Sequence, residues 1–288
     1  MRGLPLMRES LCRPITLFFE RFLIVCNVTN FILYQKYVVP LQRISKVRCN
    51  YCITLNIELI METTAKTQVY NLVVLDKSGS MESIRKEAVD GYNETLGTIR
   101  AAQLKHLDTQ DHFVSLAAFC GCGIDMIYDK TPIKDADKLK QEQYEPCCVT
   151  PLYDAIGSTI KKLKHDIKEV EDAAVLVTII TDGFENASKE WTGAAIKQLI
   201  DDCKKDGWMF AFVGAGEDIV QVASTISITN TIIWDKTPAG TRVMFSVNGD
   251  ASARYYDKMA AADCECATIA DRKKLRKQLA EEYFDEIK

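Results

Sequence analysis

The sequence predicts an α/β fold: a doubly wound, mostly parallel sheet with helices on both faces and one antiparallel edge strand. Three observations predict it. Short, almost wholly apolar runs such as Val69–Leu75 and Ala173–Ile180 read as strands buried on both faces. Segments with apolar residues three and four apart separate them, and strand–helix alternation implies right-handed crossovers. Finally, His112–Cys120 and Ile124–Tyr128 lie too close together for a crossover, so they pair as a hairpin.

In chain order, Val69–Leu75 is the first strand. Ile84, Ala88, Tyr92, Leu96 and Ile99 mark the first amphipathic helix. The hairpin strands follow. A second helix carries Leu152, Ile156, Ile160, Leu163 and Ile167, with Thr150 as N-cap and Pro151 in the first helical position, as the cap rules favour. After strand Ala173–Ile180, a third helix carries Ala195, Ile196, Leu199, Ile200 and Cys203 and stops before Gly207. Trp208–Val213 is a strand, Asp218–Ile226 a short helix and Thr231–Trp234 the last strand. Residues 237–262 hold one or two helices. The charged stretch 271–288 is a helix with Leu275, Leu279, Tyr283 and Ile287 on one stripe. It reads as a solvated tail packed lightly on the domain, with a partner-binding helix as the sharper alternative.

The 288-residue chain is 47% hydrophobic and 26% charged, the composition of a soluble globular protein. Its net charge of −4 argues against a protein dominated by nucleic-acid backbone contacts. Residues 1–60 hold 8 basic against 3 acidic residues, and the remainder 28 against 37, so the opening block is unlike the rest. Its longest uncharged run has 14 residues, between Arg21 and Lys36, short of the ~20 that a spanning helix needs. Glu20 and Arg21 interrupt any signal-peptide core. Met61, followed by polar residues and then a strand, resembles a natural start. Residues 1–60 are therefore read as an extension outside the working fold, with the main domain at 68–235 and a helical tail at 236–288.

Cysteine numbers 11, so at least one thiol is free. Cys49 and Cys52 have the spacing of half a zinc site, without a second half nearby. The close pairs Cys120/Cys122, Cys147/Cys148 and Cys264/Cys266 read first as free thiols of a reducing cytoplasm, with a soft-metal site as the alternative.

The chemistry-bearing residues gather at predicted carboxyl ends of strands, where open α/β sheets bind ligands. Asp76, Ser78 and Ser80 alternate just past the first strand, a spacing that lets three oxygen-bearing side chains converge. One carboxylate and two hydroxyls suit a hard cation such as Mg²⁺ or Mn²⁺. The bland alternative is a serine-rich turn capping the next helix. Thr150 opens the second helix, and Asp182 follows strand Ala173–Ile180 on the same rim.

Together, Asp-x-Ser-x-Ser at 76–80, Thr-Pro-Leu-x-Asp-Ala-Ile at 150–156 and Thr-Asp-Gly-x-x-Asn at 181–186 resemble the von Willebrand factor type A domain with its metal-ion-dependent adhesion site. The resemblance covers about residues 68–235 and is closer to small stand-alone bacterial and phage members. It implies a Rossmann-like fold and a divalent-metal-dependent protein-binding module. By the same resemblance, Ser78 and Ser80 bind the cation directly, Thr150 directly or through water, and Asp76 and Asp182 mainly through water. A partner's Asp or Glu carboxylate then fills the remaining coordination position, and neither nucleic acid nor membrane is expected. Relatives often have a glycine-rich segment where this chain has Cys147-Cys148-Val149, so the approach is narrower here and metal binding could respond to thiol oxidation. Phe184 stands where an acidic residue is common and reads as a rim residue. Two alternatives remain: a Mg²⁺-dependent phosphoesterase, though no phosphate-binding loop or histidine motif accompanies the rim, and a structural domain with an unused metal site.

Overall fold

The computed structural model describes residues 66–216, 219–266 and 268–284. The expectations for residues 1–60, Met61, Cys49, Cys52 and Ile287 lie outside them. Six strands form one sheet in the order β3-β2-β1-β4-β5-β6. They are β1 (Thr67–Asp76), β2 (Gln110–Cys120), β3 (Gly123–Pro132), β4 (Ala173–Thr181), β5 (Met209–Ala215) and β6 (Asn230–Trp234). All neighbouring pairs are parallel except β2–β3, which is antiparallel. The predicted α/β sheet with one antiparallel edge strand is therefore the observed one. The chain order reverses at β1/β4, which is a switch point of the kind where such sheets bind ligands.

Alternation along the central strands decides which layer each side chain joins. Val69, Val73 and Leu75 of β1, with Ala174, Leu176 and Ile180 of β4, enter one core. Tyr70, Leu72 and Val74, with Val175, Val177 and Ile179, enter the other. The first core is closed by α1 (Arg85–Lys105), α5 (Pro238–Glu265) and residues beyond α6 (Ile269–Glu281). The second is closed by α2 (Leu152–Asp166), α3 (Gly193–Lys205) and α4 (Ile219–Thr225). The periodic residues of α1 and α2 are all buried in these two layers.

The region 237–262 is one 28-residue helix, α5. It packs along α1, and the crossing is close: a Cβ on Gly91 would stand 2.0 Å from the Phe245 ring. The tail is not lightly packed. Arg276 of α6 is 1% exposed. Its guanidinium donates to Asp172 Oδ1 at 2.6 Å, Asp263 Oδ1 at 2.9 Å and Thr67 Oγ1 at 2.7 Å. Arg272 adds a 2.8 Å bond to Asp172 Oδ2. The charge pattern reads as solvated because both carboxylate partners are remote in sequence. Among the described residues, no helix is long and apolar enough to cross a membrane.

Candidate metal centre

Three loops at the carboxyl edge of the sheet bring the sequence-predicted oxygens together. Asp76 is the last residue of β1 and is fully buried. Its Oδ1 accepts from the Ser78 amide at 2.6 Å, and its Oδ2 from the Thr181 hydroxyl at 2.7 Å. Burial pushes the Asp76 carboxyl up to about 6, against the opposing pull of these two donors. The Tyr144 hydroxyl donates to the Asp76 carbonyl and anchors the end of β1.

Ser78 and Ser80 follow as the chain enters a short 3-10 turn, Gly79–Ile84. Their hydroxyl oxygens are 3.1 Å apart, and Ser80 Oγ donates to Asp182 Oδ1 at 2.7 Å. Three oxygens from two loops thus touch. The ligand–ligand edge of an octahedron around Mg²⁺, at the usual ~2.1 Å bond length, is about 3.0 Å. Side chain and spacing therefore both fit a small hard cation. Asp182 itself is shielded from solvent, and Lys236, just past β6, places its ammonium 2.6 Å from Oδ2. That oxygen nonetheless has no aligned hydrogen bond, so a buried carboxylate oxygen is left with capacity for a further partner.

Thr150 lies beside this group: its hydroxyl is 3.4 Å from where a Cβ on Gly183 would be. The expected N-cap role is corrected here. The α2 cap position falls on Pro151, without a side-chain cap bond. The helix's first free amides are instead satisfied from the loop after β4. Tyr153 N donates to Glu185 Oε2 at 2.8 Å and Asp154 N to Ser188 Oγ at 3.0 Å. Thr150 contributes only backbone groups to this clasp, bonding Asn186 through its amide (2.9 Å) and carbonyl (3.2 Å). Because Glu185 and Ser188 do the capping, the Thr150 hydroxyl is left for the site.

All five predicted residues are therefore at one rim, in one neighbourhood. Sequence reasoning missed Thr181, Lys236, Glu185 and Ser188. Glu185 and Ser188 cap a helix that begins more than thirty positions earlier in the chain, so local spacing carried no signal for that role. Lys236 had none either. Two exposed apolar side chains flank the oxygens in sequence: Val149, next to Thr150, is 50% exposed, and Phe184, after Asp182-Gly183, is 51% exposed.

No protein-family model and no curated protein sequence matches the chain. Solved structures that it resembles include proximal thread matrix protein 1 from the mussel byssus with a zinc-occupied MIDAS motif, at TM-score 0.45 and 13% identity over 66% of this chain and 49% of that one. The SpRpn10 VWA domain aligns at TM-score 0.41 and 12% identity, over 63% of this chain and 94% of that one. The pilus adhesin SpaC from Lactobacillus rhamnosus GG aligns at 0.47 and 15%, over 67% and 31%. The chain spans about half the length of the mussel protein it resembles.

Proposed function

We propose that this domain is a divalent-cation-dependent protein-binding module of the von Willebrand factor type A kind, using Mg²⁺ or Mn²⁺ to capture a partner's Asp or Glu carboxylate. The observation that carries the reading is the contact of Ser78 Oγ, Ser80 Oγ and Asp182 Oδ1 at 3.1 and 2.7 Å, from two loops at the sheet's switch point. Ser78 and Ser80 would hold the ion by their hydroxyls, with Thr150 directly or through water and Asp76 and Asp182 through water. The ion supplies an electrophilic position for one carboxylate oxygen. The chain's own residues do the rest. Thr181 and the Ser78 amide orient Asp76, as outer partners orient a metal's ligands. Val149 and Phe184 offer exposed apolar area beside a charged centre, surface that a partner would gain by covering. A reducing, cytoplasmic location is part of the same proposal, on the sequence's closely paired cysteines.

The phosphoesterase alternative lacks a histidine base at the rim. His112 begins β2, while His106 and His165 end or follow the helices that run back from the rim. All three are at the opposite, amino end of the strands.

Thermal melting with Mg²⁺, with Mn²⁺ and with chelator tests the reading. Both ions should raise the melting temperature of the wild type and leave the Ser78→Ala/Ser80→Ala variant unchanged, because a ligand of the native state alone must stabilise it. No ion-dependent shift in the wild type would sink the adhesion-site reading. On immobilised protein, a specific partner should elute with chelator, fail to bind Asp182→Ala and bind Phe184→Ala more weakly.

A further inference from the structure

Directly beside the oxygen set lies a second cluster of different chemistry. Cys120 ends β2, Cys122 sits in the turn to β3, and Cys147 and Cys148 lie in the loop that leads to Thr150. The sulfurs of Cys120 and Cys147 are 3.3 Å apart, those of Cys122 and Cys147 3.7 Å, and those of Cys122 and Cys148 3.1 Å. A Zn–S bond of about 2.3 Å in a tetrahedron implies sulfur–sulfur edges of about 3.8 Å. The Cys122–Cys147 edge meets that value and the other two are shorter, while all are well outside the ~2.05 Å of a disulfide; Cys120, Cys122 and Cys147 form the tight group, and Cys148 joins it through Cys122.

The backbone is shaped to make this gathering possible. Adjacent residues of an extended chain point to opposite sides, yet Cys147 and Cys148 both face the β2–β3 turn. Cys148 achieves this in the left-handed region, at φ 62°, a costly conformation for a residue with a β-carbon. The turn between Cys120 and Cys122 approaches so closely that a Cβ on Gly121 would stand 2.6 Å from Val149 Cγ2 and 3.2 Å from Cys148 Cβ. Glycine is what lets the two cysteine pairs meet. Lys77, whose ammonium pairs with Asp125, also interacts electrostatically with Cys120 and Cys147 and offsets part of the negative charge of a thiolate cluster.

We propose that Cys120, Cys122, Cys147 and Cys148 form a tetrathiolate site for a soft divalent ion, of which zinc is the chemical type. On binding, the four thiols lose their protons to solvent and each sulfur donates an electron pair to the ion, with no change in oxidation state. The site is distinct from the oxygen set, since thiolates select zinc-like ions and hydroxyl–carboxylate sets select Mg²⁺. Its place in the fold gives it a task. Cys147 N donates to Lys77 O at 2.9 Å, and Gly79 N donates to Cys148 O at 3.1 Å. The loop that carries the cysteines is thus stitched to the loop that carries Ser78 and Ser80. A bound ion would pin the β2–β3 turn to both and so restrain the loop that carries Ser78 and Ser80.

The experiment uses the full chain, purified with a non-chelating reductant and loaded with Co²⁺. The expected result is one tightly held cobalt with tetrahedral visible bands and intense thiolate-to-cobalt absorption in the near ultraviolet. Zn²⁺ should bleach the spectrum stoichiometrically and excess Mg²⁺ should leave it unchanged. Cys122→Ser and Cys148→Ser should each weaken zinc by more than the 10- to 100-fold typical of outer-shell changes, that is, more than about 100-fold. Cys49→Ser/Cys52→Ser and Cys264→Ser/Cys266→Ser should keep the full spectrum. The wild-type protein gives a readout that survives failure of a variant to fold: zinc should protect four thiols from maleimide, mapped by mass spectrometry to these positions. The proposal is overturned if the reduced wild type shows no thiolate-to-cobalt absorption. It is equally overturned if the protected thiols map elsewhere, or if Cys120–Cys147 and Cys122–Cys148 are recovered as disulfides from cells lysed with thiols blocked.

Discussion

The β1–β4 pair has a buried carboxylate before β4 at its amino end and others at the end of β1 and after β4 at its carboxyl end, and the two ends are finished in different ways. At the amino end, Asp172 stands before β4 beside Thr67 of β1, and Arg276 and Arg272 supply its counter-charge. Burial alone would raise the Asp172 carboxyl, but the Arg276 bonds prevail and hold it below the ordinary range. At the carboxyl end, Asp76 follows the same β1 and Asp182 the same β4. There the donors are hydroxyls and an amide, with one lysine on a flexible stem. Desolvation prevails at Asp76 and its carboxyl goes up. A carboxylate with a rigid guanidinium fork bonded to it is committed to structure. One satisfied by hydroxyls and an exchangeable ammonium is available to an incoming cation.

If that contrast is right, the amino end should respond to mutation mainly through stability. Arg276→Met removes the cation shared by Asp172 and Asp263, leaving Asp172 to Arg272 and the buried Asp263 carboxylate with no cation but only the Thr67 hydroxyl. Breaking a buried pair in this way costs about 3–5 kcal/mol, to be read from urea unfolding midpoints. A loss below ~1 kcal/mol would dissolve the distinction between the two ends.

The carboxyl end should respond mainly through ions. In isothermal titration, Asp182→Ala should abolish Mg²⁺ binding. At 100 times the wild-type dissociation constant, the variant should also lack the ~2.7 kcal/mol of ligand stabilisation while melting near the wild type in chelator. Equal destabilisation with and without ion would make Asp182 merely structural.

Acid sharpens the comparison at the amino end. His112, 2% exposed, bonds Gln110 Oε1 at 2.9 Å and sits edge-on to Tyr256. Burial lowers its imidazole to about 3. The unfolded chain, with a histidine near 6.5, takes up the proton first as pH falls. The contribution of neutral His112 is thus complete above about pH 6.5 and drains away from there towards pH 3. Within that window its slope is about 1.4 kcal/mol per pH unit. His112→Gln should flatten the acid limb of the stability profile by that amount, and an unchanged limb would refute it.

Lys236→Met should give the smallest effect. Removing the ammonium beside Asp182 should tighten Mg²⁺ by about 3- to 10-fold, up to about 1.4 kcal/mol. Weaker binding would mean that Lys236 helps to shape the site rather than competing for it.

Much of this architecture was legible because it repeats. Ala88, Tyr92, Leu96 and Ile99 announce a helix face by spacing alone, and β1 and β4 announce double burial by having no polar alternation. The placement of the five oxygen-bearing residues on one rim was legible because each sits within a few residues of a strand or helix end. What escaped depended on distant partners. Arg276 lies in a run of lysines and arginines, and it is Asp172 and Thr67, both more than 100 positions away, together with Asp263 that make it a core residue. The 28-residue α5 was hard to delimit because polar or small residues, Thr241, Asn248, Gly249, Ser252 and Asp263, are buried along with its apolar ones and break the apolar periodicity. The thiol cluster joins residues 25 to 27 positions apart, which no spacing rule connects.

The double clasp between the loop after β4 and the first turn of α2 has a mechanical consequence. Glu185 and Ser188 hold amides of α2, Asp154 of α2 holds the amides of Lys189, Glu190 and Trp191, and Thr150 and Asn186 bond in both directions. Bonds run both ways across the joint, so neither segment can travel without the other. The position of the loop after β4, and with it of Asp182, is therefore tied to that of a 15-residue helix rather than to a free loop.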